Sequence, residues 1–164
     1  MTIDQVQRQK YPNLTQTESA ELERCFEIAR RVSESEPADF FITDHLESSI
    51  SKWGNLWVLL TSGALMEFYS FTGNRDFDYV PRNASLVRTY WKYENFDFQR
   101  ATPESRLQIE GKISTGVGFN LTATGSNCEH LASFLRAISG PTGTWAPDWR
   151  EDAVVGGAES ILEA

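Results

Sequence analysis

Histidine is nearly absent from this chain of 164 residues, which holds only His45 and His130. A hydrolytic triad would have to be assembled from distant segments, and no Gly-x-Ser-x-Gly or comparable local motif marks a nucleophile. Cysteine is equally scarce. Cys25 and Cys128 fall on segments that both read as helices and show no metal-ligand spacing, so they read as two buried thiols and not as a disulfide. No apolar run approaches the roughly 18 residues that a membrane-spanning helix needs. The opening MTIDQVQRQKYPNLTQ is polar and lacks the basic-then-apolar order of a signal peptide, so a reducing, cytoplasmic setting is expected. In that setting the Asn-x-Ser/Thr tripeptides at Asn13, Asn83 and Asn120 are chance matches to the glycosylation pattern.

Bases are also in deficit, with 15 Lys and Arg against 23 Asp and Glu and a net charge of −8. General nucleic-acid binding, which requires several cations to displace counterions, is disfavoured. The deficit is uneven. Residues 1–51 carry ten acids and five bases, 52–112 seven and eight, and 113–164 six and two. A nearly neutral middle between acidic ends fits a solvated surface or a basic protein partner.

The remaining polar clusters point to no chemistry. Asp44, His45 and Glu47 lie within four residues on an expected strand, where successive side chains point to opposite faces and cannot converge on a metal. Thr72-Gly73-Asn74-Arg75 lacks the glycine spacing and the Lys-Ser/Thr ending of a phosphate loop. Asp76, Asp78 and Asp97 sit among aromatics in loop-like segments. No cofactor is implied, and the chain reads as non-enzymatic.

What is present is periodicity. Thr15-x-x-Glu18 forms a capping box, and Leu22, Cys25, Phe26, Ala29 and Val32 follow at helical spacing, which predicts an amphipathic helix over about 17–34 that stops at Ser35-Glu36-Pro37. The stretch LWVLLTSGALMEFYSF, residues 56–71, contains one charge, Glu67. As a helix it would carry Gly63 in mid-element at a cost of about 1 kcal/mol; as a hairpin it uses that glycine for the turn. Two strands are expected. Leu107 and Ile109, then Val117, Phe119, Leu121 and Ala123, alternate with small or polar residues as strands with one wet face do. SLVRTYWKYENFDF reads as a further strand, long or bent. Ser126-x-x-Glu129 forms a second capping box, and Leu131, Phe134, Leu135 and Ile138 follow on one helical face before Gly140-Pro141. The remainder is rich in Gly, Pro and acids and reads as a tail.

This order, one helix, a run of strands and a single closing helix, resembles the pleckstrin-homology superfamily. KWGNLWVLLTSGALMEFYSF is similar to that family's second and third strands. FNLTATGSNCEHLASFLRAI is similar to its last strand and helix, with Phe134 where tryptophan is commonest. FFITDHLE and residues 93–105 carry the fewest of its features. The resemblance implies an α+β fold of mainly β type: a bent seven-stranded sandwich or partly open barrel over 38–140, closed by a C-terminal helix. Residues 17–36 would form a preceding amphipathic helix, 1–16 an N-terminal tail and 141–164 an acidic tail.

Phosphoinositide-binding members of the family carry several bases in and after the first hairpin loop, where a phosphorylated headgroup needs multiple charge-assisted contacts. Here that loop contributes Lys52 alone. Lys52, Arg75 and Lys112 would ring the open end as scattered bases, so weak or no phosphoinositide or membrane binding is expected. The resemblance implies a non-catalytic binding or adaptor module working through protein contacts. Two other classes remain open: a small acidic secretion- or immunity-type chaperone serving one cognate protein, and a ligand-binding or enzymatic β-sandwich with an aromatic cavity. Trp145 and Trp149, in the tail segment GTWAPDWRED, would either fold back on the domain or anchor a partner.

Overall fold

The computed structural model describes residues 2–44, 53–69, 76–80, 86–113 and 118–138. The chain is mixed α+β and divides into two units, Met1–Arg82 and Asn83–Ala164. The described residues hold a four-stranded and a three-stranded antiparallel sheet, and no strand pairing among them closes a barrel. The boundary between the units falls inside the expected 38–140 span, and the fourth and fifth strands belong to different sheets.

The first unit opens with α1 (Ile3–Lys10), where a tail was expected. Thr2 and Gln5 form a reciprocal capping box, and Ile3 and Val6, one turn apart, are buried. That pattern is legible in Thr2-x-x-Gln5 but short, with only two apolar residues to show periodicity. Helix α2 (Gln16–Ser33) follows the expected capping box of Thr15 and Glu18 and ends at Glu34, a left-handed residue with φ 55° whose N–H donates to Arg30 O. Leu22, Cys25, Phe26 and Ala29 are buried as their spacing predicts, whereas Val32 is 48% exposed, so the buried stripe ends at Ala29.

The sheet of this unit runs in the order β1 (Pro37–Asp44), β2 (Trp53–Leu60), β3 (Leu65–Phe68) and β4 (Phe77–Val80). The expected hairpin is β2–β3. Its turn is closed by Gly63 N–H to Leu60 O and Leu60 N–H to Ala64 O, with Gly63 at φ 93°, a conformation that favours glycine. Gly54 is required for a different reason: a Cβ there would lie 2.5 Å from Thr43 Oγ1. One face of the sheet, carrying Phe40, Ile42, Leu56, Val58, Leu60, Met66 and Phe68, forms a core with the apolar stripes of α1 and α2.

The second unit is an antiparallel meander of β5 (Leu86–Glu94), β6 (Arg106–Ile113) and β7 (Gly118–Thr124), followed by α3 (Asn127–Ile138). Helix α3 packs on β7 and β6 and buries Cys128, Leu131, Phe134, Leu135 and Ile138, the residues expected from its spacing among them. Between β5 and β6 a loop places Phe98 at φ 66°, a conformation that a bulky side chain rarely adopts. Its ring packs on Trp91, Tyr93 and Phe96. Arg136 donates to its carbonyl at 2.6 Å, Asp97 accepts from the N–H groups of Gln99 and Arg100, and Glu129 accepts from Ala101 N–H. The loop is thus tied to α3 by two side chains.

Candidate functional site

Of the sequence-derived site residues Lys52, Arg75, Lys112, Trp145 and Trp149, only Lys112 falls among the described residues. Lys52 and Arg75 lie outside the described residues, as do His45, Glu47, Trp145 and Trp149. Lys112 is exposed on β6 opposite Gly118. Asp44 ends β1, and His130 is half-buried on α3. Cys25 and Cys128 are both buried and form no disulfide, as expected. Among the described residues no group of three or more His, Cys, Asp and Glu could hold a metal ion, and no helix is long and apolar enough to cross a membrane.

Besides the groups that tie the Phe98 loop to α3, polar groups converge in the first unit at two places on one sheet. The first is on the face turned away from α1 and α2. Antiparallel register sets Trp57, Glu67 and Asp78 side by side across β2, β3 and β4, and side chains directly opposite share a face. Asp78, read from sequence as a loop residue, is therefore on a strand. Asn55 N–H donates to Thr43 Oγ1 at 2.8 Å, Asn55 Nδ2 donates to Glu67 Oε2 at 2.8 Å, and the Tyr69 hydroxyl donates to Asp78 Oδ2. Glu67 is only 7% exposed. Burial is the main cause that raises its carboxyl above the ordinary glutamate range, and the nearby Asp78 charge adds to it against the hydrogen bonds from Asn55 and Tyr69. The bond to Asp78 likewise holds the Tyr69 phenol above its usual value, with burial and the Glu67 charge in support. Chemically this is a pair of carboxyl groups set opposite each other at the β3–β4 pairing. Its sequence signal was Glu67 as the one charge in a sixteen-residue run.

The second place is the outer side of β1, an edge strand of the sheet. Three of its backbone groups meet side chains: Phe40 N–H donates to Asp39 Oδ1 at 2.9 Å, Phe40 O accepts from Lys10 Nζ at 3.1 Å, and Ile42 N–H donates to Tyr11 Oη at 3.2 Å. Lys10 Nζ also lies 2.7 Å from Asp39 Oδ1, with 11% and 14% of the two side chains exposed. Burial lowers the lysine below its ordinary value despite the opposing pull of Asp39, and burial raises the Tyr11 phenol well above its own. Its ring packs on Phe40 at 5.4 Å.

No protein-family model, no curated protein and no solved structure matches the chain.

Proposed function

We propose that the chain is a non-catalytic binding module of pleckstrin-homology type that acts through protein–protein contacts, with at most weak affinity for anionic lipid. The observation that carries this reading is the element order: antiparallel strands in groups of four and three, then one helix that packs on the last two strands with Phe134 fully buried. The resemblance implies seven strands closed by one helix, and this order supports it, with a second helix, α1, ahead of the expected one. The net charge of −8 supports a basic partner over an acidic lipid surface or nucleic acid. Buried cysteines outside any disulfide at positions 25 and 128 suit a reducing, cytoplasmic setting.

The test pairs two measurements on the full chain. Proteins captured on it are purified and titrated back by calorimetry, and the chain is sedimented with phosphoinositide liposomes across a salt series. A saturable, stoichiometric protein complex with liposome binding abolished near physiological salt is the expected result. Headgroup-selective sedimentation that persists in salt and depends on Lys52, Arg75 and Lys112 would replace the protein-module reading with a lipid module.

A further inference from the structure

An edge strand offers a row of backbone donors and acceptors to any extended chain that reaches it. In β1 that row is already engaged, and the way it is engaged is informative. Phe40 O accepts from Lys10 and Ile42 N–H donates to Tyr11. A carbonyl at one residue and an N–H two residues on are the two groups that one residue of a parallel neighbour strand would bond. Lys10 and Tyr11 thus stand where a strand would add, contributing a cationic donor and a phenolic acceptor from the end of α1.

The cover is small. Helix α1 has eight residues, too few for an isolated helix to be stable in water. Its hold on the unit includes Ile3, Val6 and Tyr11 in the core, the Lys10–Asp39 pair and a bond from Gln7 Nε2 to Ser19 Oγ at 3.2 Å. Asp39 sets the chemistry of whatever replaces it. Its carboxylate is 14% exposed and bonded to Lys10, so a chain that displaced α1 without bringing a cation would leave a largely buried charge uncompensated. A second copy of this chain is a poor occupant. Residues 1–51 already carry ten acids against five bases, and pairing β1 with itself would add Asp39 and Asp44 from both copies to one edge.

We propose that the outer edge of β1 is a docking site for an extended segment of a partner protein bearing a lysine or arginine, and that α1 occupies it in cis as an autoinhibitory cover. This rests on the protein-module reading and names its surface. The incoming strand takes over the bonds to Phe40 and Ile42, and its cation takes the place of Lys10 Nζ on Asp39.

The probe is a short fluorescein-labelled peptide of alternating threonine and valine with a central lysine, compared with the same peptide carrying glutamate there. The full chain with Lys10→Gln and Tyr11→Phe keeps the α1 cap, Ile3 and Val6 but withdraws both edge contacts. It is expected to bind the lysine peptide about tenfold more tightly than the natural chain does, a difference of about 1.4 kcal/mol. Adding Asp39→Asn should abolish the preference for lysine over glutamate. In the natural chain, excess lysine peptide should speed amide exchange across residues 3–10 and slow it at Phe40 and Ile42, a measurement that needs no variant to fold. Exchange unchanged in both segments, or self-association of the variant without peptide binding, would overturn the proposal. A natural partner complex whose affinity is the same in Asp39→Asn would overturn it too, while leaving the protein-module reading intact.

Discussion

The two outer strands of the four-stranded sheet meet their neighbours through charged pairs of opposite kind. At β1 a lysine and an aspartate face each other across the edge; toward β4 a glutamate and an aspartate do. Both sites are largely removed from water, since Lys10 and Asp39 are 11% and 14% exposed and Glu67 is 7% exposed. Burial penalises the Lys10 and Glu67 charges, but only at β1 does the partner offset the penalty. At β4 the partner adds to it, and what opposes it is donors, Asn55 to Glu67 and Tyr69 to Asp78. Burial alone therefore does not tell whether a charged pair supports a fold; the sign of its neighbour does.

The largest expected effect comes from breaking the β1 pair on one side. Lys10→Met keeps the volume and leaves the Asp39 carboxylate without its cation, which should cost about 3 kcal/mol in urea unfolding. The double variant Lys10→Met, Asp39→Asn should recover most of that loss, because two neutral groups no longer need each other. Recovery that fails would mean that Lys10 acts chiefly through Phe40 O.

Tyr11→Phe comes next. It leaves the Ile42 N–H without the phenol oxygen in a buried setting, for a loss of about 1–2 kcal/mol by the same melts. A smaller change at β4 should have the reverse sign. Asp78→Asn removes a like charge directly opposite Glu67 while keeping an acceptor for Tyr69, and should stabilise the chain at neutral pH by up to about 1 kcal/mol.

The two pairs also respond to pH in opposite directions. Glu67 titrates higher folded than unfolded, so between the ordinary glutamate range and its raised value the folded chain binds more protons, and its contribution to stability falls as pH rises. Lys10 titrates lower folded than unfolded. Between its lowered value and the ordinary lysine range the unfolded chain binds more protons, and its contribution rises with pH. Stability curves of Glu67→Gln and Lys10→Met against the natural chain should lose the first slope and the second, respectively.

Much of the architecture was legible because local signals agreed with it. The capping box at Thr15 with its apolar stripe gave α2, and the Ser-Gly step between two apolar runs gave the β2–β3 hairpin. The spacing from Leu131 to Ile138 gave α3. Helix α1 escaped because eight residues with two buried apolar positions look like polar chain, and β4 because FDYV lies among turn residues and acids. The two charged pairs were illegible for a different reason. Lys10 and Asp39 are 29 positions apart, and Glu67 meets Asp78 only through strand register, which no local pattern fixes. Glu67 still stood out as a single charge in an apolar run, and a single charge in such a place is the hint that a partner exists elsewhere.

The most direct test of this contrast is the stability of the natural chain and of Asp78→Asn, measured side by side by urea unfolding from acid to neutral pH. The account predicts no difference at the acid end, where Glu67 is protonated in both, and a growing advantage for Asp78→Asn as pH rises. A variant equally stable throughout, or less stable at neutral pH, would show that Glu67 and Asp78 do not oppose each other across β3 and β4.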